Sequence, residues 1–171
     1  MRTLLTAICL FCLFLFPCAG HAEQRVFLDT DAPRYENKLY GFSFTLPPGQ
    51  WDAMETADGE GIIIHDGVEG DPDNTSIHAY ARDGYADASL QALLNEEAKG
   101  YREILKEEIS PNNDWFALTA EGIQGNYVFI KYFLKGDKAN ILVISAPKEQ
   151  KASFDMVVSS VVNSFKPGFG K

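Results

Sequence analysis

Residues 114–165 constrain the fold more than any other part of this 171-residue chain. They read as three strands in succession, then one helix. The strands are 115–121, 126–134 and 139–146, rich in β-branched and aromatic residues. The connections, Glu121-Gly122 to Gly125 and Lys135-Gly136-Asp137-Lys138, are of hairpin length. In the middle strand Tyr127, Phe129, Lys131 and Phe133 alternate with Val128, Ile130, Tyr132 and Leu134. Both sets are largely apolar, which predicts a central strand covered on two sides. Ile141, Leu142, Val143 and Ile144 require the same of its partner. From about Lys148 to Phe165 the period changes. Phe154, Val157, Val158, Val161 and Phe165 form one helical stripe, widened by Val162. These β-branched residues are poor helix formers, so packing against the sheet must hold the helix.

Upstream, Phe42, Phe44 and Leu46 alternate with Ser43 and Thr45 in a strand that Pro47-Pro48-Gly49 stops. Trp51 and Ala53 share a face of a second, weaker strand. After the Asp58-Gly59 turn, Ile62-Ile63-Ile64-His65 form a third. Residues 66–74 are an acidic Gly/Pro loop. In the fourth strand, 75–82, Ile77, Ala79 and Ala81 face one way and His78 and Tyr80 the other. A helix capped by Asp87 or Ser89 then carries Leu90, Leu93, Leu94, Ala98 and Tyr101 on one stripe. Residues 102–109 read as a fifth strand, preceded by Gly100 and closed by Pro111. The order strands, helix, strands, helix with hairpin-length turns specifies an α+β domain. It is an antiparallel sheet of about six to eight strands sandwiched by helices, not a doubly wound parallel fold.

Residues 1–22 read as a targeting segment: Arg2, an apolar run from Leu4 to Phe16 too short to span a bilayer, and small residues before a cut after Ala22. A lipoprotein signal acylated at Cys18 is the rival reading, disfavoured because bulky Phe16 and rigid Pro17 precede that cysteine. Cleavage after Ala22 removes all three cysteines, Cys9, Cys12 and Cys18. The remaining chain has no disulfide, thiol nucleophile or cysteine metal site, and its core alone must hold it. It consists of a lead-in at 23–34, a single domain at 35–166 and a tail at 167–171. The location expected for it is exported, most simply periplasmic. The net charge of −9 makes nucleic acid and anionic lipid poor partners.

Several of these segments resemble those of a known family. Tyr35-Glu36-Asn37, Tyr40-Gly41-Phe42-Ser43-Phe44-Thr45-Leu46-Pro47-Pro48-Gly49 and Trp51 resemble the opening of PsbP/Mog1-like domains. Asp58-Gly59-Glu60-Gly61, Asp114-Trp115-Phe116 and Val161-Val162-Asn163-Ser164-Phe165 resemble their continuation. The resemblance implies an antiparallel sheet sandwiched by helices. It also implies an accessory or partner-binding role and brings no catalytic set. The photosystem and nuclear GTPase roles of named members do not carry over to this chain.

The residues offer few chemical candidates. His65 and His78 flank the loop that holds Asp66, Glu69, Asp71 and Asp73. If the third and fourth strands pair, two imidazoles and one or two carboxylates can hold Zn²⁺, or the loop carboxylates Ca²⁺. The spacing matches no EF-hand or zincin pattern, and a solvated acidic turn with two unrelated histidines accounts for it more simply. Ser43 sits within a strand and lacks the surroundings of a nucleophile elbow. There is no Walker loop or dinucleotide turn, and no cofactor is expected. His78, Tyr80 and Arg82 share one strand face and, with Trp51, form a candidate partner-binding strip. A merely solvated face is the simpler account of the strip, and core packing that of Trp51.

The function expected is therefore an exported, non-catalytic accessory or binding domain for a protein partner or small ligand in the cell envelope. A metal-dependent hydrolase using His65, His78 and the acidic loop is the first alternative, and a structural envelope module the second.

Overall fold

The computed structural model describes residues 24–25, 33–67 and 74–170. The targeting segment with Cys18, and Glu69, Asp71 and Asp73 of the acidic loop, lie outside them. An eight-stranded sheet forms from β1 (Gln24–Arg25), β4 (Asp52–Glu55), β5 (Gly61–His65), β6 (Ser76–Asp83), β7 (Glu103–Ile109), β8 (Trp115–Glu121), β9 (Asn126–Lys135) and β10 (Lys138–Pro147). Its spatial order is β1-β4-β5-β6-β10-β9-β8-β7, and every neighbouring pair is antiparallel. Two short strands, β2 (Arg34–Glu36) and β3 (Ser43–Thr45), form a separate ribbon. The helices are α1 (Leu90–Ala98) and α2 (Lys151–Ser164), the latter entered through a 3₁₀ turn at Lys148–Gln150.

The path explains the order. After β6 the chain crosses one face of the sheet as α1 and starts again at the far edge as β7. Successive antiparallel pairings then carry it back until β10 closes on β6, with Val143 opposite His78 and Ile141 opposite Tyr80. The strand predicted at 102–109 is this edge strand. It is exposed almost throughout, carries Glu103, Lys106, Glu107 and Glu108, and changes register between Ile104 and Lys106. Charge and an irregular register are what keep a free edge from pairing with other chains.

The two faces of the central strands serve two cores, as their double apolar pattern requires. Phe116, Leu118, Val128 and Ile130 pack beneath Leu90 and Leu94 of α1, whose first turn is capped by the Ser89 hydroxyl. Ala117, Phe129, Leu142 and Ile144 join the opposite core with Phe154, Val157 and Val161 of α2. The helices thus sandwich the sheet. Burying one such Val, Leu or Phe side chain contributes about 1.5–3 kcal/mol, enough to hold α2 despite its weak helix formers.

The predicted strand at 42–46 does form, but not in the main sheet. It pairs with β2 and is clasped by the carboxyl-terminal segment: Ser43 N donates to Lys166 O at 3.0 Å, and Lys166 N to Ser43 O at 2.8 Å. Phe42 and Phe44 stack on Phe165. Ser43, expected on a polar face, is buried, and its hydroxyl accepts from Arg34 Nη2 at 3.3 Å. Gly168 lies so close beneath Gly41 and Phe42 that a Cβ there would come within 2.2 Å of the Gly41 carbonyl carbon.

Candidate functional site

The described residues cover only half of the α1 side of the sheet. Helix α1 packs over β7, β8 and β9. On β4, β5 and β6 the same face carries Met54, Ile63, His78 and Tyr80, all half-buried, with no helix of the described residues above them. This face exists because β5 and β6 alternate. Ile62, Ile64, Ile77, Ala79 and Ala81 point to the α2 core, which leaves the intervening side chains on the open side.

The sequence-predicted strip is partly assembled. His78, Tyr80 and Arg82 do line up on the open face of β6, and the Arg82 guanidinium lies 5.1 Å from the centre of the Tyr80 ring. Trp51 does not join them. It packs against the α2 core, and its indole Nε1 donates to Pro47 O at 2.9 Å.

The third and fourth predicted strands pair as an antiparallel hairpin, β5 with β6. Ile63 lies opposite His78 and Ser76 opposite His65, so the two histidines are diagonal neighbours across the strands on one face, their Cα atoms on the order of 7 Å apart. His65 is buried, with Nδ1 3.1 Å from Gly67 O. A carbonyl only accepts, so Nδ1 is the donor in this contact. Burial, and then the neighbouring His65, push the His78 pKa below its ordinary value. Asp66 is engaged in closing its loop: Oδ1 accepts from Thr75 N at 2.6 Å. Among the described residues no three His, Cys, Asp or Glu side chains converge as a metal set.

What the strip reading missed lies across from it. The β4–β5 hairpin turn folds beside β6, Glu60 O accepting from Ala81 N at 2.9 Å. It brings Asp58 and Glu60 to face Tyr80 and Arg82, forming an open cavity of about 160 Å³ over Ile63 and His78. Asp58 is fixed by an Asx turn: it accepts from the Thr56 hydroxyl at 2.6 Å and from Glu60 N at 3.0 Å. The Thr56 hydroxyl and the Glu60 amide lower its pKa most, and Arg82 adds to this across the cavity. Asp58-Gly59 was legible as a turn, but no local pattern says which strand the turn leans on.

Beside this cavity Glu97 of α1 accepts from the Tyr132 hydroxyl at 3.0 Å and from the Tyr101 hydroxyl at 3.3 Å. Tyr80 is close enough for Glu97 to raise its pKa, after burial itself. A second cleft, about 370 Å³, lies at the far end of the sheet. There Glu121, buried, accepts from Arg102 Nη1 at 3.3 Å and Lys148 Nζ at 2.9 Å.

These features place the chain among α+β domains built as one antiparallel sheet between two helices. Its architecture is that of a PsbP-like domain. The solution structure of cyanobacterial PsbP (CyanoP) from Synechocystis sp. PCC 6803 matches it with a TM-score of 0.55 over 90% of this chain and 98% of that one, at 16% identity. A crystal structure from Bacteroides thetaiotaomicron matches with a TM-score of 0.42 over 74% of this chain and 44% of that one, at 15% identity. No family model matches the sequence, and no curated protein does. No helix of the described residues is long and apolar enough to cross a membrane.

Proposed function

We propose that this protein is an exported, non-catalytic binding domain that engages a partner in the cell envelope through the open half of its sheet. The observation that carries this reading is the β4–β5–β6 face, which no helix of the described residues covers and where Ile63, His78 and Tyr80 are half-buried beside exposed Arg82. A sheet face normally buries its apolar side chains against another layer. The targeting features of residues 1–22 support export, and the PsbP-like fold is compatible with an accessory role.

The test is site-directed photo-cross-linking in intact cells, with the full chain carrying the cross-linker at Tyr80 or, as a control, at exposed Lys106 on the β7 edge. A discrete adduct from position 80 and none from position 106 is the expected result. No adduct, or equal adducts from both, would remove this face as the binding surface.

A second reading rests on the diagonal placement of His65 and His78. Two imidazoles on one face supply half of a four-ligand zinc site, with Asp71 and Asp73 of the acidic loop as the remaining candidates. On this reading the protein binds Zn²⁺ or acts as a metal-dependent hydrolase. Equilibrium dialysis of the cleaved protein with Zn²⁺ and with Ca²⁺ tests it, and His78→Ala should abolish Zn²⁺ uptake. An absence of micromolar binding by the wild type ends the idea.

A further inference from the structure

The cavity at the end of the open face has walls of opposite charge. One wall is the β4–β5 turn, with the carboxylates of Asp58 and Glu60. The other is β6, with the guanidinium of Arg82 stacked on Tyr80. Among the described residues Arg82 has no carboxylate within salt-bridge distance, so its planar fork of donors is uncommitted. Asp58 keeps its orientation through Thr56 and the Glu60 amide, and Glu60 faces the Tyr40 hydroxyl. Between the walls lie Ile63, the Tyr80 ring and the His78 imidazole, a floor that is apolar except for His78.

We infer that this cavity binds a small zwitterion of the α-amino-acid type, its carboxylate on Arg82, its ammonium on Asp58 and Glu60, and an apolar side chain over Ile63 and Tyr80. A planar guanidinium pairs with a carboxylate through two parallel hydrogen bonds, and an ammonium needs acceptors on the other side. A ligand with only one of these charges leaves one wall unmatched. The volume, about 160 Å³, is that of roughly five water molecules. This suits a single amino acid and excludes a folded partner from the cavity itself. The inference rests on the reading of this face as the binding surface and names what one corner of it recognises.

Amide chemical-shift titration of the ¹⁵N-labelled cleaved protein tests it, with L-leucine, L-leucinamide and N-acetyl-L-leucine as probes. L-leucine should shift the amides around Asp58, Gly61, Tyr80 and Arg82 and bind roughly tenfold more tightly than either single-charge analogue. Arg82→Gln should bring L-leucine down to the level of L-leucinamide. Asp58→Asn with Glu60→Gln should bring it down to that of N-acetyl-L-leucine. Both variants lie at the surface, and an unchanged spectrum elsewhere verifies the fold. No shift with millimolar L-leucine, equal binding of all three probes, or insensitivity to Arg82→Gln would overturn the inference. A position-80 adduct in cells together with a failed leucine titration would sink this inference and leave the binding surface standing. The reverse pair of results would leave the pocket and remove the macromolecular partner.

Discussion

Gly61 lies directly against Tyr80: a Cβ on Gly61 would come 2.6 Å from the Tyr80 Cβ and 2.7 Å from Ala79 O. The two residues are register partners across β5 and β6, and this contact lets the Asp58–Glu60 turn lie flat beside β6. The backbone of Ala79 and Tyr80 sits in mid-strand and has little room to withdraw. Gly61→Ala should therefore destabilise the fold by about 1–3 kcal/mol, as overpacked core sites do. Chemical denaturation measures this. The same variant should displace the Glu60 carbonyl from Ala81 N, visible as loss of hydrogen-exchange protection at Ala81.

Asn37 organises the other end of the β4–β5 turn. It is buried, and its Oδ1 accepts from Leu39 N at 3.1 Å and Tyr40 N at 2.7 Å. Its Nδ2 donates to Gly59 O at 2.9 Å and to the Tyr35 hydroxyl at 3.1 Å, which in turn donates to Glu55 at 3.2 Å. Asn37→Ala strands buried donors and acceptors and should cost about 2–4 kcal/mol. Tyr35→Phe removes one hydroxyl and should cost about 1 kcal/mol. A denaturation series on the two variants checks the order as well as the size.

Phe154 anchors α2, buried and stacked on Tyr127 with ring centres 5.7 Å apart. Phe154→Ala should cost about 3–5 kcal/mol, among the largest effects of any single substitution here. Far-ultraviolet dichroism during denaturation should show the helix and sheet melting together, since α2 is mostly Val, Ser and other weak helix formers and is too short to persist alone.

Alkaline titration reads the buried tyrosines. Burial and then Glu97 push the Tyr101 phenol up to about 12, and burial raises Tyr35 and Tyr132 well above the ordinary value of 10. The folded-state values exceed the unfolded ones. Stability from these groups is therefore intact below pH 10 and is lost as pH rises from there toward the folded values. Near-ultraviolet absorbance at about pH 11 should show only part of the seven tyrosines ionised, the remainder following on unfolding. Complete reversible ionisation by that pH would contradict the burial of these side chains.

Local patterning was enough for the longer elements and most of their faces, though not for the short strands β1 and β2, which lie at 24–25 and 34–36, in or beside the expected lead-in. The double apolar alternation of 126–134 required a central strand, and β9 lies between two cores. The α2 stripe was legible because period 3.6 survives poor helix propensity. Two expectations from the residues did not hold. Ser43 is buried because the carboxyl-terminal segment closes over the ribbon, which no alternation within 42–46 can express. Trp51, grouped with His78, Tyr80 and Arg82 as a candidate strip, packs on the α2 core instead. Tertiary packing also gathers Glu121, Arg102 and Lys148 into one cluster from three separated segments.

By itself the sequence determined an antiparallel α+β domain, its hairpins, and the common face of His78, Tyr80 and Arg82. These follow from backbone periods of 2 and 3.6 residues and from the turn chemistry of Gly, Asp and Pro. Only the tertiary structure decided that β10 closes on β6, that α1 stops over β9 and leaves the β4–β5–β6 face open, and that Asp58 and Glu60 face Arg82. Periodicity specifies which way a side chain points. What it meets is set by long-range strand pairing and by how far a nine-residue helix can reach across an eight-stranded sheet.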